Sequence, residues 1–142
     1  MLKEIQVNTS ALKVYAMDEM YEIMATFPMS KAFYAGYNSE GQPRCNAPDG
    51  VYTDTVWVDV DWPDAPDLEA GFGWGYINIT DRGHALHGGG ANLGWDGALE
   101  PFQPLLPTEG CFRMHNADVY WLALQAQRSI AAGVELVVHV VS

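Results

Sequence analysis

Residues 134–141, VELVVHVV, constrain the fold more than any other stretch, since six of the eight are valine or leucine. The run is far shorter than the roughly 18 apolar residues that signal a membrane helix, and its β-branched content favours an extended chain. A strand apolar on both faces belongs inside a sheet, with a partner on either side. Partners are available upstream. EIQVNTS and ALKVYAM are short alternating runs separated by a polar break around Ser10, and EMYEIMATFPMS gives a third strand closed by Pro28. Residues 34–50 are dense in Gly, Pro, Asn and Asp and read as a long loop ending in a Pro-Asp-Gly turn. VYTDTVWVDV, residues 51–60, reads as one strand, and FGWGYINIT and HALHGGG as two more split by the turn at Asp81-Arg82-Gly83. One helix is expected, over residues 117–132. Asn116 is placed as its N-cap, Asp118 in its first turn and Gly133 as its stop, with Val119, Leu122, Ala123, Ala126 and Ile130 on one face. These elements predict a mainly β fold. It is a β-sandwich or partly open barrel with one long helix in its C-terminal half and a final central strand.

The 142 residues suit a single domain, 1–142, better than two small ones. With only seven Lys and Arg and a formal charge of −11, the chain lacks the basic face that nucleic acid or an anionic membrane requires. No window is apolar enough for membrane insertion. The acidic residues Asp61, Asp64, Asp67 and Glu69 lack the Asp-spaced loop of a calcium site and read as a solvated loop. The opening MLKEIQVNTS shows no signal-peptide pattern, and oligomeric state is not legible.

Two cysteines do not make a disulfide framework. Cys45 and Cys111 are either free or paired with each other, and pairing would consume the thiol of interest. Cys111 follows Gly110, which permits a tight turn, so amides near Gly110 and Cys111 can aim at a developing oxyanion. A thiol is only a few per cent thiolate at neutral pH, so a nucleophilic cysteine needs a base or cation beside it. His84, His87 and His115 are the available imidazoles, with Arg113 adjacent. His87 is the best partner, because it ends a strand and opens HGGG, where glycines admit a ligand or another backbone. His84, three positions earlier, points to the opposite face of an extended strand. His115 sits beside the helix start and reads as solvated.

The run from His87 to Arg113, HGGGANLGWDG…LPTEGCFR, resembles the signature of the YkuD-like L,D-transpeptidase family. That signature is a His-Gly, a Gly-containing stretch, then Ser or Thr, His, Gly, Cys, an apolar residue and Arg. IQVNTSALKVYAM resembles the family's opening hairpin, NAPDGVYT its turn into a strand, and RMHNADVYWLALQ…GVELVVHV its closing helix and strand. The resemblance implies Cys111 as nucleophile and His87 as general base. The Gly88 carbonyl would orient the imidazole, and amides around Gly110 and Cys111 would form the oxyanion hole. Arg113 would hold the loop or a substrate carboxylate, with Thr108, Glu109 and Gly89 also along the substrate. The implied reaction is acyl transfer on peptidoglycan stem peptides through an acyl-enzyme that an amine or water resolves, without metal or organic cofactor. The implied location is the cell envelope or periplasm, or export. The chain departs from the signature in having Glu109 where the family has His, and in the 24 positions between His87 and Cys111, a wider spacing than usual. A carboxylate about 6 Å from a thiolate opposes it by nearly 3 kcal/mol at an effective dielectric of about 20.

Other readings are weaker. Papain- or NlpC-like peptidases place cysteine before histidine at a helix start, whereas only Cys45 precedes His84 and His87, in a loop. A zinc hydrolase built on His84, His87, Cys111 and Glu109 lacks HExxH or paired-cysteine spacing. The main alternative is a non-catalytic peptidoglycan- or glycan-binding β module using its five tryptophans. Of these, Trp57, Trp74 and Trp121 read as core, and Trp62 and Trp95 as exposed loop residues.

Overall fold

The structure is a computed structural model describing residues 1–31, 46–60, 72–89, 99–108 and 110–142. Two sheets and one helix organise it. The larger sheet contains β1 (Leu2–Asn8), β2 (Lys13–Asp18), β3 (Ile23–Pro28), β4 (Gly50–Tyr52) and β9 (Val137–Val141), in the order β3-β2-β1-β9-β4. The smaller contains β5 (Val58–Val60), β6 (Gly75–Asn78), β7 (Ala85–His87) and β8 (Phe112–Arg113), in that order. The fold is mainly β, with two open sheets and no closed barrel.

Within the apolar run of residues 134–141 the strand is β9, Val137–Val141. It lies between β1, which it meets in parallel, and β4, which it meets antiparallel. Val138 and Val140 point inward with Ile5, Val7, Val14 and Ala16, all fully buried. Full burial of a Val or Ile side chain is worth roughly 1.5–3 kcal/mol, which is why this alternating pattern decides register.

VYTDTVWVDV is not one strand. A turn closed by Val56 N–H on the Thr53 carbonyl at 3.2 Å divides it. β4 stays in the larger sheet and β5 starts the smaller one. β-Propensity is continuous across residues 51–60, so it cannot report a change of sheet.

The helix α1 (Asn116–Ala131) packs between the sheets, burying Val119, Leu122, Ala123 and Ala126. It ends in a Schellman motif: Val134 N–H donates to Ser129 O at 2.9 Å and Gly133 N–H to Ile130 O at 3.0 Å. Gly133 takes the left-handed φ of 82° that this motif requires. Two details differ from expectation. Asn116 is the first helical residue rather than the N-cap, which is His115 and makes no side-chain cap bond. Ile130 is 44% exposed, while Ser129 turns inward and donates to the Leu2 carbonyl at 2.6 Å. Among the described residues no helix is long and apolar enough to cross a membrane.

Candidate active site

The smaller sheet sets three side chains in a row. Tyr76 pairs with His87 across the antiparallel β6–β7 ladder, and His87 pairs with Arg113 across the parallel β7–β8 ladder. Side chains alternate along a strand, so these three share the face opposite Ile77, Leu86 and Phe112, which enter the core. Cys111, two positions before Arg113, falls on the same face as His87, with the Ala85 backbone beside its thiol. The other side of β8 is covered by Ser30, which exchanges both backbone hydrogen bonds with Arg113, at 2.9 and 3.0 Å.

His87 is buried, and its Nδ1 lies 2.7 Å from the Gly88 carbonyl oxygen. A carbonyl only accepts, so Nδ1 carries the proton and Nε2 holds the free lone pair. Tyr76 lies parallel to the imidazole at 6.3 Å, and Phe72 packs on it at 4.9 Å. This burial lowers the His87 pKa to about 4, with Arg113 adding to the effect and the Gly88 hydrogen bond opposing it. At neutral pH the imidazole is therefore neutral and basic at Nε2.

Cys111 is a free, partly exposed cysteine whose Sγ donates to the Gly83 carbonyl at 3.4 Å. Desolvation raises the thiol to about 11, against the pull of the Ala85 amide and of Arg113. The resting site thus holds neutral thiol and neutral imidazole. Tyr76 joins them: burial and the neighbouring Cys111 raise its phenol to about 12. The phenol donates to Asn78 Oδ1 at 3.4 Å, while Asn78 Nδ2 is tied to the Thr55 and Thr80 carbonyls, both at 2.8 Å.

The loop before the cysteine is held from inside. The Thr108 hydroxyl donates to the Cys111 carbonyl and accepts the Gly110 N–H at 3.3 Å. Asn46 Nδ2 donates to the Gly110 and Cys111 carbonyls at 3.1 and 3.4 Å. Arg113 Nη1 donates to the carbonyls of Leu106 and Pro107 at 2.9 and 3.4 Å, while its buried Nε has no hydrogen-bond partner among the described residues. Desolvation lowers the Arg113 pKa and Cys111 raises it.

Behind His87, Gly88 N–H donates to the Phe72 carbonyl at 2.9 Å and Gly89 N–H to Asn116 Oδ1 at 2.8 Å. The glycines of HGGG that are described admit the protein's own backbone and Asn116. A Cβ on Gly88 would stand 2.3 Å from Asn116 Oδ1.

His87, Gly88, Gly110, Cys111, Arg113 and Thr108 therefore converge on one end of the smaller sheet, with Gly89 just behind. His84 and His115 each have a hydrogen-bond partner of their own. His84 Nδ1 bonds Thr80 Oγ1 at 2.8 Å, and His115 Nδ1 donates to the Gln103 carbonyl at 2.8 Å. Among the described residues no three His, Cys, Asp or Glu side chains gather as metal ligands. Glu109, Cys45, Trp62, Trp95 and the acidic stretch from Asp61 to Glu69 lie outside the described residues.

Trp57 corrects the expectation that it packs in the core. It is 52% exposed and stacks on Tyr76 at 5.0 Å. It lies just before β5 rather than within a strand, on the face that carries Tyr76. Tyr76, Asn46, Asn78 and Gln103 were also missed as site residues. Only the position of Tyr76, alternating with the apolar Ile77 and eleven positions from His87, carried a signal.

Comparison with known proteins bears on the fold. The L,D-transpeptidase from Xylanimonas cellulosilytica superposes with a TM-score of 0.58 at 18% identity, over 97% of this chain and 59% of that one. The L,D-transpeptidase from Mycobacterium smegmatis gives 0.51 at 13% identity, over 98% and 58%. The chain thus spans about three-fifths of the length of these solved structures. No curated protein matches significantly. Residues 3–138 match the YkuD family, described as the L,D-transpeptidase catalytic domain, and the chain belongs to that family.

Proposed function

We propose that this chain carries out cysteine-dependent acyl transfer on peptidoglycan stem peptides, as an L,D-transpeptidase or L,D-carboxypeptidase, in the cell envelope. The observation that carries the reading is His87, its Nδ1 on the Gly88 carbonyl, on the same sheet face as the free thiol of Cys111 one strand away. Family membership supports the chemical class.

In this mechanism His87 Nε2 takes the thiol proton as Sγ bonds the carbonyl carbon of the third stem residue. The carbonyl oxygen becomes an oxyanion facing the Cys111 amide, Tyr76 and the buried Arg113. Collapse breaks the C–N bond, and His87 returns the proton to the departing D-alanine amine. The thioester is then attacked by an amine, giving a cross-link, or by water, giving a trimmed stem. His87 again accepts the nucleophile's proton and passes it to the leaving thiolate. Deprotonation is coupled to attack because the free thiol holds its proton to about pH 11. Among the described residues Arg113 is a buried cation whose hydrogen-bond partners are carbonyl oxygens. It therefore has charge available for the oxyanion, the thiolate or a substrate carboxylate.

The exposed Trp57 stacked on Tyr76 favours one second reading, a glycan-binding module without catalysis. Incubation with a carbapenem separates the two. Acyl transfer requires one added ligand mass on the wild type and on Cys45→Ala, and none on Cys111→Ala. A folded wild type with no adduct would favour the binding module. Tetrapeptide stems with and without an amine acceptor then distinguish cross-linking from trimming.

A further inference from the structure

The peptide unit joining Gly88 and Gly89 is engaged at both polar ends. Its carbonyl accepts His87 Nδ1–H at 2.7 Å, and its N–H donates to Asn116 Oδ1 at 2.8 Å. The peptide is planar and stiff, so holding its N–H also sets the direction of its carbonyl. Asn116 is itself fully buried and anchored on other sides. Its Nδ2 donates to the Glu100 carbonyl at 2.8 Å, and its main-chain N–H donates to Gln103 Oε1 at 2.7 Å. Gln103, also buried, ties this to the strand end by donating to the Met114 carbonyl at 2.9 Å. There is little room for the Asn116 amide to slide, since a Cβ on Gly73 or Gly88 would stand 2.1 or 2.3 Å from its oxygen. An Asn at a helix start normally caps that helix. This one instead turns its oxygen onto a loop 27 positions earlier in the chain.

We infer that Asn116 is a positioning residue for His87, acting through the Gly88–Gly89 peptide to hold the imidazole in its Nδ1–H tautomer, with Nε2 basic. The role is that of the carboxylate in a hydrolytic triad, filled here by a neutral amide one peptide removed. A neutral group suits the location, because a fully buried carboxylate needs compensating donors or a cation. The two hydrogen bonds also polarise the peptide in the same sense: an N–H that donates strongly makes its carbonyl a better acceptor. The catalytic consequence rests on the acyl-transfer reading, but the tautomer does not.

The test is long-range nitrogen NMR of the His87 ring in the full chain at pH 7. The wild type should show a protonated Nδ1 and an unprotonated Nε2. Asn116→Ala should shift the ring toward a mixture of tautomers. It should also slow carbapenem acylation at saturation about 10- to 100-fold, with the half-saturating concentration little changed. A wild-type tautomer and rate in Asn116→Ala overturns the inference. If Asn116→Ala does not fold, the wild type still decides. The Gly89 amide proton should move with His87 as pH falls from 7 toward its midpoint near 4, and an amide that ignores this titration overturns the inference. A wild type that never acylates would sink the acyl-transfer reading alone and leave the tautomer result standing.

Discussion

The two sheets are held together by different physics. In the larger sheet β1, β2 and β9 run five to seven residues, and their inward positions are wholly apolar and fully buried. In the smaller sheet no strand exceeds four residues, and side chain–backbone hydrogen bonds fix the segments between them. Thr55, Asn78, Thr108 and Arg113 each bond a backbone carbonyl there. Burial of apolar area is non-directional and tolerates small changes of shape. Hydrogen bonds specify direction and leave costly orphans when broken. The larger sheet thus supplies stability and the smaller one supplies geometry, and substitutions should separate the two.

The largest separation is at Cys111, the proposed nucleophile. Cys111→Ala should abolish the carbapenem adduct while shifting the melting temperature only slightly, since a partly exposed thiol is removed from the smaller sheet. His87→Ala should slow adduct formation by about 10²–10⁴-fold. Intact-protein mass spectrometry against time measures both. Equal rates with and without His87 would defeat the proposed dyad.

The converse is Ile5→Ala in the larger sheet. Ile5 is fully buried, so truncation should cost about 2–5 kcal/mol in denaturant unfolding. The adduct rate per folded molecule should stay near wild type. A fall in that rate matching His87→Ala would mean that the two sheets do not act independently.

The larger sheet was also the more legible in the sequence. Alternation in β1 and β2 and the apolar run of β9 report burial directly, because one face of each is buried. Cys111 and His87 stood out as candidates for chemistry, since a thiol after glycine with an imidazole upstream asks for activation. Periodicity does not report what a polar residue bonds. Asn116 looked like a helix cap because local sequence cannot show an acceptor's partner 27 positions away. Trp57 looked like core because strand propensity says nothing about which face meets solvent. The break of residues 51–60 into β4 and β5 was invisible for a related reason, since the turn residues Thr53 and Thr55 also favour strands.

Acidification should weaken the protein through the smaller sheet. The His87 pKa is about 4 when folded, below the ordinary 6.5. The unfolded chain therefore binds the proton first, and stability present above pH 6.5 is lost as pH falls toward 4. The shift corresponds to a loss on the order of 3 kcal/mol. At the other end Cys111 has a folded pKa of about 11 against 9.0, so stability declines again as pH rises from 9 to 11. Chemical denaturation across pH, repeated on His87→Gln, tests the acid limb. A slope between pH 6.5 and 4 unchanged by that substitution would show that other groups cause it.

The smallest expected effect tests whether hydrogen-bond direction in the smaller sheet matters beyond stability. The Thr108 hydroxyl accepts the Gly110 N–H and donates to the Cys111 carbonyl, so it braces the turn that presents Cys111. Thr108→Val keeps the side-chain shape and removes both bonds. The cost to folding should be about 1–3 kcal/mol, because groups that lose a partner in a largely buried site stay poorly solvated. Adduct formation should slow by less than about tenfold, since the thiol, the imidazole and Arg113 all remain. Thr108→Ser restores the hydroxyl without the methyl and should recover the rate more fully than the stability. That split distinguishes bracing from packing. If the serine variant recovered stability but not rate, the methyl group rather than the hydrogen bonds would be holding the turn, and the contrast between the two sheets would fail at the residue closest to the chemistry.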